Sequence, residues 1–165
     1  MVVAAAVIPD IDGLGIVPEV LTRNSAHPLL WFSQYHHSLH TLVFATAVAV
    51  LCWFLAEQRW KTATLVFFSF HLHLLCDLVG SRGPDGDSWP IPYLKPLSNA
   101  IQLTWRGQWA LNGWQNFLIT AVVLAFTFWF AYRFGSSPLE LASSRANARF
   151  VAALRLRFGN PPSAL

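Results

Sequence analysis

Charge is what this sequence has least of: Asp, Glu, Lys and Arg make up 12% of its 165 residues, against 55% hydrophobic residues. That balance is far from the soluble average and points to lipid. The basic residues are scattered singly and the net charge is only +3, which excludes the continuous basic groove that a nucleic-acid partner requires. Cysteine is nearly absent too. Cys52 and Cys76 both fall inside apolar runs, where a free thiol behaves as a small hydrophobe. If those runs form a hairpin turning near Arg59, the two sulfurs differ in depth by about 15 Å, so they cannot pair with each other. Internal repeats and low-complexity tracts are lacking, which excludes a solenoid. The apolar start, residues 1–8, has no basic residue and stops at Pro9 and Asp10, so it does not read as a secretory signal. As a helix it would reach about 12 Å, too little to span a bilayer.

What is present is long apolar sequence. Residues 39–56, 62–79 and 116–134 are each apolar enough to cross, and we expect an all-α membrane protein with about three transmembrane helices. A short charged link, Glu57 to Lys61, joins the first two, as between antiparallel neighbours, so they should form a tight helical hairpin. Residues 80–115 turn polar, with Gly83, Pro84, Asp85, Gly86 and Asp87 followed by Pro90, Pro92 and Pro96, which reads as a loop. Its later half, residues 97–114, mixes Ile101, Leu103 and Leu111 with Trp105, Trp109 and Trp114. An interfacial helix or a re-entrant segment would suit that mixture, with the indoles anchoring it among headgroups. Beyond Gly135 and Pro138, Arg145, Arg149, Arg155 and Arg157 alternate with Phe150, Val151, Leu154 and Leu156, the pattern of a basic amphipathic surface helix. The division expected is a membrane-embedded domain at 1–135 and a basic tail at 136–165.

Lysine and arginine set the orientation. With the hairpin turn and the tail in the cytoplasm, that side holds Arg59, Lys61, Arg133, Arg145, Arg149, Arg155 and Arg157, against Arg23, Arg82, Lys95 and Arg106 opposite. This predicts a bacterial inner-membrane protein with a cytoplasmic C-terminus. All the aspartates then face the periplasm.

Three separated clusters carry chemistry: Asp10 and Asp12 in P-D-I-D-G, His36, His37 and His40 in Y-H-H-S-L-H, and His71, His73 and Asp77 in F-H-L-H-L-L-C-D. His40 lies 19 residues before Arg59 and Asp77 lies 18 after it, so a hairpin puts them within about 1.5 Å of the same depth. Residues four apart share a helix face, which pairs His36 with His40 and His73 with Asp77. Imidazole nitrogen and carboxylate oxygen are ligands for a divalent metal, zinc above all, and facing helices build metal sites from such pairs. Ionisable groups within a bilayer cost several kcal/mol and mark functional sites, so we expect His40, His73 and Asp77 to ligate, with at least one of His36 and His37. His71 stands about 200° round the helix from His73 and should bond elsewhere. Of Asp10 and Asp12, two apart and pointing to opposite sides, one completes the first metal's ligands, with Asp12 the expected ligand. The other bridges to a second ion, orients a histidine, or serves as general base. Asp85 and Asp87 read as a solvated turn.

At these residues the sequence resembles the YdjM-like family of LexA-binding, inner-membrane-associated, metal-dependent hydrolases. Such proteins carry a P-D-I-D segment, a histidine motif of the H-R-x-x-T-H type at a helix start, and H-x-x-x-D before a Gly/Pro-rich loop. Here these are Pro9 to Asp12, His36 to His40, and His73 to Asp77 followed by Gly80 to Pro84. The histidine motif, H-H-S-L-H, is one residue shorter than the usual spacing, and the transmembrane helix that usually precedes P-D-I-D is not seen here. The resemblance implies one or two divalent ions and a hydrolase.

The expectation is therefore a metal-activated water attacking a phosphoester or related ester, with a lipid headgroup the substrate that the site's position suggests and Asp10 and Asp12 as candidate catalytic carboxylates. The alternative is a non-catalytic membrane protein whose polar cluster packs helices or holds a structural metal. A transporter is disfavoured because the ionisable residues crowd one end rather than the whole depth. Lipid is the expected partner.

Overall fold

The computed structural model describes residues 1–83, 86 and 88–161; Asp85 and Asp87 lie outside them. Among the described residues the structure is helical, with only isolated bridges in place of strands. The chain divides into two units, Met1–Leu111 and Asn112–Leu165.

In the first unit, α1 (Val2–Ala5) leads into a 3-10 helix (Ile8–Gly15), then α2 (Ile16–Thr22), α3 (Trp31–Tyr35), α4 (Leu42–Leu55) and α5 (Arg59–Gly80). The hairpin forms as expected. Ala45, Val48, Ala49 and Cys52 of α4 bury against Val66, Phe70 and Leu74 of α5, and the small alanines let the two axes approach. The apolar start is used as packing: Ala5 is buried on this hairpin, and the Ser69 hydroxyl donates to the Val2 carbonyl at 3.0 Å. Both cysteines are free.

The expected first span, residues 39–56, is shorter than its apolar run. Thr41 is extended and its hydroxyl accepts from the Phe44 N–H, capping the helix at Leu42, while Ala56 is extended at the other end. The helix that remains has 14 residues, about 21 Å, short of the roughly 30 Å hydrocarbon core. Among the described residues two helices, not three, are therefore long and apolar enough to cross a membrane: α5, with 22 residues, and α6 (Trp114–Phe134), with 21.

Nor is there a helix at 97–114. This stretch folds back on the end of α5: the Ile91 and Leu103 N–H groups each donate to the other's carbonyl, and the Trp109 N–H donates to the Val79 carbonyl. Arg82 N–H donates to Trp109 O and Leu111 N–H to Arg82 O, so the bonds that a helix would have made internally go to a neighbouring segment.

In the second unit, α6 ends at Gly135, whose φ of 76° lets the chain turn where a side chain would strain it. A 3-10 turn (Pro138–Leu141) leads to α7 (Ser144–Phe158), the expected basic amphipathic helix. Asn147 accepts from the backbone and hydroxyl of Ser137 and donates to Gly135 O, which fixes the turn. Only Ala131 of α6 is buried, and Phe117, Val122, Phe126 and Trp129 lie bare along it. A helix apolar all round and exposed all round suits lipid.

Candidate metal centre

The centre lies where the 3-10 helix, the turn before α4 and the end of α5 meet. Asp10, His40, His73 and Asp77 each offer one ligand atom, all within 4.8 Å of one another. His73 and Asp77 are one turn apart on α5, so Nε2 and Oδ2 stand 3.1 Å apart. Across the hairpin His40 Nε2 is 3.2 Å from the same oxygen, as the depth argument required. Asp10 Oδ1 closes the group at 3.3 Å from His73 Nε2 and 3.6 Å from His40 Nε2, and the two Nε2 atoms are 3.3 Å apart.

These distances test whether the residues fit a metal. Four donors at about 2.0–2.1 Å round a tetrahedral ion stand about 3.3 Å from one another. Five of the six separations here lie between 3.1 and 3.6 Å. The buried Asp77 Oδ2 has no hydrogen-bond partner although both imidazoles stand within 3.2 Å of it, as suits an oxygen left for an ion. Two imidazoles and two carboxylates are also a chemically suitable set for a divalent ion.

Asp12, expected among the ligands, stands behind them. Its nearly buried carboxylate accepts from His36 Nδ1–H at 3.2 Å and from the Leu39 backbone N–H at 3.0 Å, and its Oδ2 faces His40 Nδ1 at 3.5 Å. A carboxylate on Nδ1 places the proton there and leaves the Nε2 lone pair for the metal. Asp10, considered as a base, is the carboxylate that enters the group, with its side chain 52% exposed.

Electrostatics follow this geometry. Burial alone would push His40 down, but the neighbouring carboxylates of Asp12 and Asp77 raise it to about 9. Burial would raise Asp12, yet bonds from His36, His40 and the Leu39 N–H hold it well below the usual carboxylate range. His37 is driven down to about 4 by burial, with the neighbouring imidazoles adding repulsion.

His36 and His37 are outside the four-residue group. The shared helix face expected for His36 and His40 does not exist, since α4 begins only at Leu42 and His37 takes a φ of 73° that no helix contains. His36 stacks on Phe32 at 4.5 Å, and the His37 ring lies 4.7 Å from that of His40. His71 points away, donating from Nδ1 to the Phe67 carbonyl and accepting at Nε2 from the Tyr93 hydroxyl.

Sequence reasoning passed over several supporting groups. The Ser81 hydroxyl donates to Asp77 Oδ1 at 3.1 Å, and its position one turn after Asp77 was a readable signal. Gln108, buried, donates to the Asp77 backbone carbonyl at 2.8 Å across 31 residues, for which no local pattern exists.

Comparison with known proteins adds one match. The family model described as YdjM inner membrane protein matches residues 1–154. No curated protein and no solved structure matches.

Proposed function

The chain belongs to the YdjM inner membrane protein family, and from that premise we propose that it is a membrane-bound, metal-dependent hydrolase of phosphoesters or related esters. The observation that carries this reading is the convergence of Asp10, His40, His73 and Asp77 on one point. These residues would hold a divalent ion, with zinc the first choice from the donor set. A bound ion of this kind lowers the pKa of a water to about 7 and polarises a phosphoryl or acyl oxygen.

The chain's own groups have separable tasks. Asp12 holds His40 in the productive tautomer, and Ser81 keeps Asp77 turned inward. Asp10, half-exposed at the mouth, is the carboxylate with access to accept the proton of an attacking water. The site sits in the last part of α5, close to the end of a spanning helix, which favours a substrate at the lipid boundary such as a phospholipid headgroup. With the hairpin turn and tail cytoplasmic, the site faces the periplasm.

A second reading rests on the ligand count. Four protein donors suit a closed structural site, whereas catalytic zinc keeps a position open. Metal content of detergent-purified protein should fall to background in the His40→Ala, Asp77→Ala double variant, and hydrolysis of a chromogenic phosphoester should fall with it. Equal metal in both proteins would remove the reading; metal present in the wild type without metal-dependent hydrolysis would leave the structural one.

A further inference from the structure

Beside the metal centre runs a groove of about 470 Å³, lined by Phe32, Trp89, Pro92, Lys95 and Gln102, with His36 and His37 on the side toward His40. Its size suits a small organic group. Two of its polar residues have structural tasks: the Ser33 hydroxyl and N–H both donate to Glu19, and His36 donates to Asp12. His37 does not. It is 8% exposed and sits in left-handed backbone, yet its ring makes no hydrogen bond to a described residue. Its ring packs on those of His36, His40 and Trp89, and its nitrogens are not among the buried polar atoms shut away without a partner, so they are open to a ligand in the groove.

Lys95 is the cation among the described lining residues, and it makes no ion pair with any described residue. No described acidic side chain lines the groove to compete for it. An ammonium acts as a point charge, which suits a tetrahedral oxyanion; a planar carboxylate is better met by the arginine fork, and the groove has none. Trp89 stands edge-on to both histidines, 5.2 Å from His36 and 5.5 Å from His37, and forms an apolar wall of the groove.

We propose that this groove binds the phosphoryl-bearing anionic part of the substrate, with the Lys95 ammonium and the His37 imidazole as its contacts and Trp89 as its wall. The proposal deepens the hydrolase reading and rests on it for calling the ligand a substrate; the binding itself is tested apart from turnover.

The experiment measures binding to full-length, zinc-loaded protein by calorimetry in two arms: soluble glycerol 3-phosphate, and nanodiscs carrying phosphatidic acid. Wild type is compared with Lys95→Gln and His37→Gly, the latter chosen because glycine takes a φ of 73° without strain. Both variants should keep wild-type metal content and weaken binding by about tenfold or more. Binding in the first arm marks a free phosphoester, and binding in the second alone marks a lipid headgroup. Equal binding by wild type and both variants, or no binding to wild type in either arm, overturns the proposal even if the protein hydrolyses esters. Variant-sensitive binding without any metal-dependent hydrolysis keeps the groove site and sinks the hydrolase reading instead.

Discussion

Asp10 and Asp12 differ by two positions and end in different roles. On a 3-10 helix of three residues per turn, two positions are about 240° of rotation, so the carboxylates diverge: one meets His40 at Nε2 and the other meets it at Nδ1. Replacing Asp12 by Asn keeps an acceptor for the Leu39 N–H but removes the charge behind His40. Metal affinity should drop about 10- to 100-fold while the fold persists, as chelator competition and circular dichroism would show. Affinity equal to wild type would mean that Asp12 does not orient His40. That two carboxylates and several histidines would share a site was legible from their types and spacing. Which carboxylate faces inward was not, because it depends on the side of the 3-10 helix that the turn at residues 36–40 covers.

At the level of elements, one close approach holds the acidic segment in place. A Cβ on Gly15 would stand 2.9 Å from the backbone of Trp31 and Phe32, and backbone cannot swing aside as a flexible side chain does. Gly15→Ala should therefore destabilise the protein by about 1–3 kcal/mol and displace the 3-10 helix that carries Asp10 and Asp12. Thermal melting in detergent beside metal content checks this: a wild-type melting temperature would show that α3 yields easily. The short α4 illustrates a limit of reading hydropathy. Leu39, His40 and Thr41 lead into an apolar stretch with no Gly, Pro or formal charge to break it, but Thr41 serves as a cap, and hydropathy alone does not reveal where a side-chain oxygen stops a helix. The tryptophan-rich stretch at 97–114 misleads for a related reason: interfacial composition says where a segment sits, not whether its N–H groups bond within it or to α5.

For the whole molecule, with α5 and α6 the helices able to cross, the asymmetry of lysine and arginine predicts the orientation: seven residues with the hairpin turn and tail against Arg82, Lys95 and Arg106 between those helices. A phosphatase reporter fused at the C-terminus should be inactive and a fluorescent one bright, as expected for the cytoplasm. The opposite pair of results would reverse the orientation and put the metal centre on the cytoplasmic face. Lipid as surroundings is supported by α6, whose apolar side chains are exposed almost throughout.

Composition, apolar run length and the spacing of His40 and Asp77 about the hairpin turn were enough to determine a helical membrane chain with histidines and carboxylates level at one end. Those are properties of one dimension: transfer to lipid sums over consecutive residues, and depth along a helix is a rise per residue. The tertiary structure alone decided that Asp10 rather than Asp12 joins the group with His40, His73 and Asp77, that His37 faces a groove, and that Gln108 reaches the Asp77 carbonyl. Each depends on hydrogen bonds between segments far apart in the chain, which no local pattern encodes.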